Sequence, residues 1–140
     1  WKQPLQVLEV GKGVRLADGQ DIAILTLGTP GNFATEALAI VAAEGITPAH
    51  YDLRYAKPLD GALLDEVFTN FSKVLIVEDG CLQGGVGSAV LEYMADHEYA
   101  AKVKRLGIPD RFVTHGTQPE LWRECEYDTL AIVNALKELV

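Results

Sequence analysis

The chain has few cysteines, few histidines and no excess of positive charge. Its two cysteines, Cys81 and Cys125, lie far apart and outside any CxxC pattern. Two thiols cannot build a disulfide framework, and neither sits in a Cys/His spacing that would hold zinc. Free thiols fit a reducing, cytoplasmic setting. His50, His97 and His115 are scattered, and no HExxH occurs, so no dedicated metal site is expected. Lys and Arg number 12 against 20 Asp and Glu, a formal charge of −8. That balance disfavours a nucleic-acid partner, because phosphate neutralisation needs clustered cations. No apolar run approaches the roughly 18 residues of a membrane span, so no membrane partner is expected. The opening Trp1-Lys2-Gln3-Pro4 has neither the apolar core of a signal peptide nor an initiator Met, as expected of a processed or excised piece. Ser72 and Ser88 are the only serines and no Gly-x-Ser-x-Gly elbow exists, so a Ser/His/Asp triad has no support.

What is present is an ordinary globular balance, 49% apolar and 23% charged types in 140 residues. That length suits one domain with a real core. Residues 1–20 read as an arm or linker, with a short strand at 7–10 and a hairpin-like turn at Asp18-Gly19. Residues 21–140 read as the domain itself.

From Asp21 onward, strands and helices alternate. Ile22–Leu27 is a nearly unbroken apolar run, the pattern of a strand buried on both faces. Asn32 is the expected N-cap of a helix to about Glu44, with Phe33, Ala37, Ile40 and Val41 facing the sheet and Gly45 at its C-cap. Further strands are expected at about 49–53, 74–77 and 102–108. Helices are expected at about 61–71 and 87–97, with a short one from Thr117 and a last one capped by Asp128. The last helix should bury Leu130, Ile132, Val133, Leu136 and Leu139. This alternation predicts a three-layer α/β/α sandwich with a mostly parallel sheet of about five strands.

The glycine-rich turn Gln83-Gly84-Gly85-Val86-Gly87-Ser88 follows a strand and precedes a helix, a place suited to anions. Aligned to GxGxxG from Gly85, the third glycine position holds Val90, so the dinucleotide fingerprint fails. No GxxxxGK[ST] occurs either. Gly84, Gly85 and Gly87 then either permit tight turning and close helix–sheet approach, the favoured reading, or bring main chain to a ligand or partner. Glu78 and Asp79 close the preceding strand at its carboxyl edge, where open α/β sheets bind ligands. Adjacent strand residues point apart, which argues against a carboxylate dyad and for an acidic rim or an ion pair. Arg54, Lys57 and Asp60 follow the second strand at the same edge, and Arg54 could pair with Glu78 or Asp79. Lys57 could act as a Schiff-base lysine only if buried. Cys81, beside the turn, and His115, on a loop, are weak catalytic signals.

Arg54-Tyr55-Ala56-Lys57-Pro58-Leu59-Asp60, Val77-Glu78-Asp79, Gly84–Val90, Gly107–Phe112 and His115–Gln118 occur in a familiar order and spacing. Together they resemble the C-terminal domain of the 1-deoxy-D-xylulose-5-phosphate synthase family over about residues 10–140. The Lys-Pro-Leu-Asp and Gly-Gly-x-Gly-Ser segments are shared more widely with transketolase-like enzymes; Gly107–Phe112 and His115–Gln118 point to the synthase. The resemblance implies a thiamine-diphosphate- and Mg²⁺-dependent transferase. It would condense pyruvate with glyceraldehyde 3-phosphate and release carbon dioxide, serving isoprenoid and thiamine synthesis. It places both cofactors on preceding domains, and makes those domains and a second copy the partners. No catalytic, cofactor-binding or metal-binding residue is transferred onto this chain. Arg54, Lys57, Asp60, Glu78, Asp79, Gly84, Gly85 and Gly87 are expected to serve structure or an interface. Two alternatives stand beside this: the equivalent domain of another transketolase-like enzyme, and a stand-alone module binding an anion at the glycine turn and Arg54/Lys57.

Overall fold

A computed structural model describes residues 7–140. The opening residues 1–6 of the expected arm lie outside the described residues. The elements are β1 (Val14–Ala17), β2 (Ala23–Leu27), α1 (Pro30–Ala42), β3 (Ala49–Asp52), α2 (Gly61–Asn70), β4 (Lys73–Cys81), α3 (Val86–Asp96), β5 (Lys102–Ile108), α4 (Gln118–Glu124) and α5 (Thr129–Leu139). The sheet order is β1-β3-β2-β4-β5. Four strands are parallel and β1 runs antiparallel to β3.

Alternation along the central strands builds the two cores. Ile22, Ile24, Leu75 and Val77 face Ala34, Ala37 and Val41 of α1 and Ile132, Val133 and Leu136 of α5. Ala23, Leu25, Tyr51, Val74 and Ile76 face Leu64, Val67 and Phe68 of α2 and Val90 of α3. A strand covered on both sides needs apolar residues at every position, which is why β2 reads as a continuous run. The expected three-layer α/β/α sandwich is the fold.

Several local expectations are corrected. Residues 7–10 form no strand, and Asp18-Gly19 closes no hairpin, because β3 lies between β1 and β2. The sheet therefore begins at Val14, inside the segment read as an arm. α1 starts at Pro30 rather than after Asn32: Thr29 is already helical (φ −50°, ψ −38°), and the fixed φ of proline suits a first turn. Ile40 and Leu130 are exposed, not core. Gly45 does end α1: at φ +80° it lets Ile46 N–H reach the Val41 carbonyl (3.2 Å) and its own N–H reach that of Ala42 (3.1 Å). Asp128 caps α5 through Ala131 N–H (2.9 Å). Thr117 and Glu120 form a capping box at α4.

Candidate functional site: the carboxyl edge of the sheet

β2 and β4 are neighbours although β3 lies between them in sequence. Their carboxyl ends mark the point where chain order reverses, the usual ligand crevice of an open α/β sheet. Leu27 pairs there with Glu78.

Glu78 is 3% exposed. Its carboxylate accepts from the main-chain N–H groups of Val86 (Oε2, 2.8 Å) and Gly87 (Oε1, 2.9 Å), the opening residues of α3. These are donors that an α-helix cannot satisfy internally, at its electropositive end. The anion position offered by the glycine turn is thus occupied by the chain's own carboxylate.

The surrounding glycines follow from that bond. A Cβ on Gly85 would overlap the Glu78 carboxylate and the Cys81 carbonyl. One on Gly87 would lie 2.9 Å from Arg105 Cδ and 3.0 Å from Glu78 Oε1. One on Gly107 would lie 2.9 Å from the Gly80 carbonyl and 3.0 Å from Glu78 Cγ. Gly84 differs: it sits at φ +78° with open space around its Cβ position. The Arg105 guanidinium ties the turn to β5, donating to the Leu82 carbonyl (2.6 Å) and Ser88 Oγ (3.0 Å).

Asp79 points the other way and is exposed, accepting the Tyr127 hydroxyl proton at 2.8 Å. Burial first, and then this carboxylate, push the Tyr127 hydroxyl well above its ordinary value. The two acids do point apart, as strand alternation requires. The expected ion pair is absent: Arg54 is exposed at φ +57°, its main-chain N–H bound to Asp52 Oδ1 (2.9 Å). Among the described residues it pairs with neither Glu78 nor Asp79. A cation became unnecessary once two N–H groups satisfied Glu78. Lys57 is exposed and lacks the desolvation that activates a Schiff-base lysine.

Asp60 is buried at the N-terminus of α2. It accepts from Leu63 N–H (3.3 Å), Gly13 N–H (3.1 Å) and Lys12 Nζ (3.2 Å), pinning the segment before β1. Burial alone would raise its carboxyl; these three bonds outweigh it and hold the group below the ordinary aspartate value.

Three groupings escaped the sequence reading. His50 is 1% exposed and its Nε2 meets Thr26 Oγ1 at 2.9 Å; burial lowers its pKa, with Asp52 partly offsetting. Asp65 Oδ1 accepts from Tyr93 (2.7 Å) and Tyr99 (3.0 Å), and the Tyr93 hydroxyl is pushed up to about 12 by burial and by Asp65. An apolar cleft of about 230 Å³ opens below Asp79, among Ile108, Val113, Leu121, Trp122, Cys125 and Tyr127. The first two leave no signature in sequence because they join residues 24 to 34 positions apart, and the cleft forms only where α4 and its flanking loops fold back beside β5.

Cys81 and His115 are exposed and Cys125 is buried, its thiol pushed up by burial. Among the described residues no cluster of His, Cys, Asp or Glu has the makings of a metal site, and no helix is long and apolar enough to cross a membrane. A diphosphate does not fit the α3 N-terminus either, because Glu78 would meet it with like charge.

The family model described as "Transketolase, C-terminal domain" matches residues 11–132. A 1-deoxy-D-xylulose-5-phosphate synthase of Cytophaga hutchinsonii is 51% identical over 99% of this chain, and one of Bacteroides thetaiotaomicron is 53% identical over 97%. The chain spans only 22% and 21% of the length of those two relatives. Among solved structures, a "split gene transketolase, inactive beta4 tetramer" superimposes with TM-score 0.87 at 32% identity, over 94% of this chain and 43% of that one. A transketolase of Pichia stipitis, at TM-score 0.61 and 18% identity, covers 92% of this chain and 18% of its own and shares the fold. With its sheet, its switch point and 122 of its residues inside one family model, this chain belongs to the transketolase C-terminal domain family.

Proposed function

We propose that the chain is the C-terminal structural and assembly domain of a 1-deoxy-D-xylulose-5-phosphate synthase. The supporting observation is identity near one half across almost the whole chain with proteins of that name, against 18% for the Pichia transketolase. The complete polypeptide would condense pyruvate with glyceraldehyde 3-phosphate, release carbon dioxide, and supply isoprenoid and thiamine synthesis in the cytoplasm. Thiamine diphosphate with Mg²⁺ would supply the carbanion chemistry on the preceding domains. The closure of the α3 N-terminus by Glu78 fits a scaffold role here, since no cofactor phosphate could share that position. The polypeptide would work as a homodimer, with this domain adding packing and subunit contacts.

The reading is tested by assaying the complete polypeptide with pyruvate and glyceraldehyde 3-phosphate, thiamine diphosphate and Mg²⁺. The expected product is 1-deoxy-D-xylulose 5-phosphate with one carbon dioxide per turnover. Two-carbon transfer from a ketose phosphate, with no carbon dioxide, would assign the domain to a transketolase instead.

A further inference from the structure

Phe112 is 100% exposed, yet it does not sit on a loose tip. Arg111 before it donates to Glu124 Oε1 (3.0 Å) and to the Glu124 carbonyl (3.2 Å). Val113 after it packs against the core that carries Trp122. With both neighbours anchored, the ring is held out into solvent, on the loop that leaves the carboxyl end of β5.

The chain joins the fold at that same edge. β1 is antiparallel to β3, so its first residue, Val14, pairs with Asp52 at the carboxyl end of β3. Gly11 packs on Pro58 of the loop beyond β3. Val10, just before it, is 70% exposed. Scattered apolar side chains on a surface are ordinary. A fixed, fully presented aromatic at the edge where the chain arrives has the character of an interface anchor.

We infer that the carboxyl edge of the sheet, anchored by Phe112, is the surface on which this domain docks against the preceding part of a longer polypeptide, the ring filling an apolar pocket there. The inference rests on the reading that this chain is one domain of such a polypeptide. The match to 22% of a relative's length leaves most of that polypeptide outside the chain. A covalently attached neighbour is held at a high effective concentration, so a single anchor with a modest rim suffices. A second copy meeting this edge would have to bury about 800 Å² per partner to be stable.

The test is thiol labelling mapped by mass spectrometry on the complete polypeptide, each rate compared with that of the same site in denaturant. Phe112→Cys should label at least about tenfold slower in the native protein, while Thr69→Cys, on the exposed side of α2, should be unprotected. Native Cys81, exposed at the same edge in this domain, serves where the substitution itself loosens docking: it should be protected in the parent and released in Phe112→Ser. Position 112 and Cys81 both reacting as fast as in denaturant would overturn the inference. Protection that vanishes on dilution would overturn it in favour of a second copy. Turnover is read separately: protection without synthase activity sinks the functional reading and leaves the docking surface, and activity without protection does the reverse.

Discussion

Glu78 Oε1 and the main-chain N–H of Gly87 are 2.9 Å apart, and Oε2 of the same carboxylate takes the N–H of Val86 at 2.8 Å. A strand end is thereby bonded to the first turn of the helix that follows it. Glu78→Ala would leave two helix donors unsatisfied inside the protein. It should lower stability by about 1–3 kcal/mol. Glu78→Gln, which turns an amide nitrogen toward one donor, should fall between. Asp79→Asn, next door, keeps an amide oxygen to accept the Tyr127 hydroxyl, loses only the charge on that exposed bond, and should cost under about 1 kcal/mol. Urea denaturation of the three variants checks the order. Equal midpoints for the parent and Glu78→Ala would remove the structural role.

The glycines of the turn should respond for different reasons. At Gly84 the obstacle is backbone conformation, φ +78° with free space, so Ala should cost about 1–2 kcal/mol. Asn, which tolerates that conformation, should recover much of the loss. At Gly85 the obstacle is volume, because a Cβ collides with Glu78 and the Cys81 carbonyl. Ala there should cost more than Ala at Gly84, and Asn should be no better. Gly87→Ala should lie between, since Arg105 Cδ is the flexible part of its contact. Thermal melting of the series reads this; rescue of position 85 by Asn would contradict it.

Acid should find Asp60. Its folded-state pKa lies below the unfolded value of about 3.9. The carboxylate's contribution is therefore complete above about pH 4 and is lost as pH falls through the lower folded value. Asp60→Asn should be less stable than the parent at pH 7, and the gap should narrow below about pH 4. Denaturation midpoints at both pH values measure it. A gap that stays constant into acid would contradict the assignment.

His50 acts in a milder range. Burial keeps it neutral, with its pKa below the ordinary 6.5. The unfolded chain takes up a proton below about pH 6.5 that the folded chain refuses. Stability should then fall as pH drops from 7 toward 5, and this slope should be shallower in His50→Gln. Identical slopes would show that His50 does not carry it.

The fold was legible where burial imposed a pattern. β2 and the first part of β4 are covered on both faces, so their apolar runs stand out. Caps such as Asp128 were legible because their chemistry is local. β1 was missed: an edge strand of four residues, half exposed, carries no hydrophobic run. The extension of β4 past Val77 was missed because its register with β5 shifts there and resumes at Cys81–Ile108. The place of Glu78 and Asp79 near the end of β4 is legible in the sequence; their bonding is not. Glu78 pairs with main-chain groups eight and nine residues on, and a main-chain donor leaves no mark in a side-chain pattern. Opposite charges suggested Arg54 as the partner, but the φ +57° turn sets its side chain in solvent.

The proposed function places the cofactor chemistry on other domains, with this one adding structure and contacts. Its most direct test is calorimetric titration of the 140-residue chain with thiamine diphosphate and Mg²⁺. No heat of specific binding is expected at any concentration up to the millimolar range. Saturable binding with a micromolar Kd would contradict that placement and make this chain a cofactor-binding one.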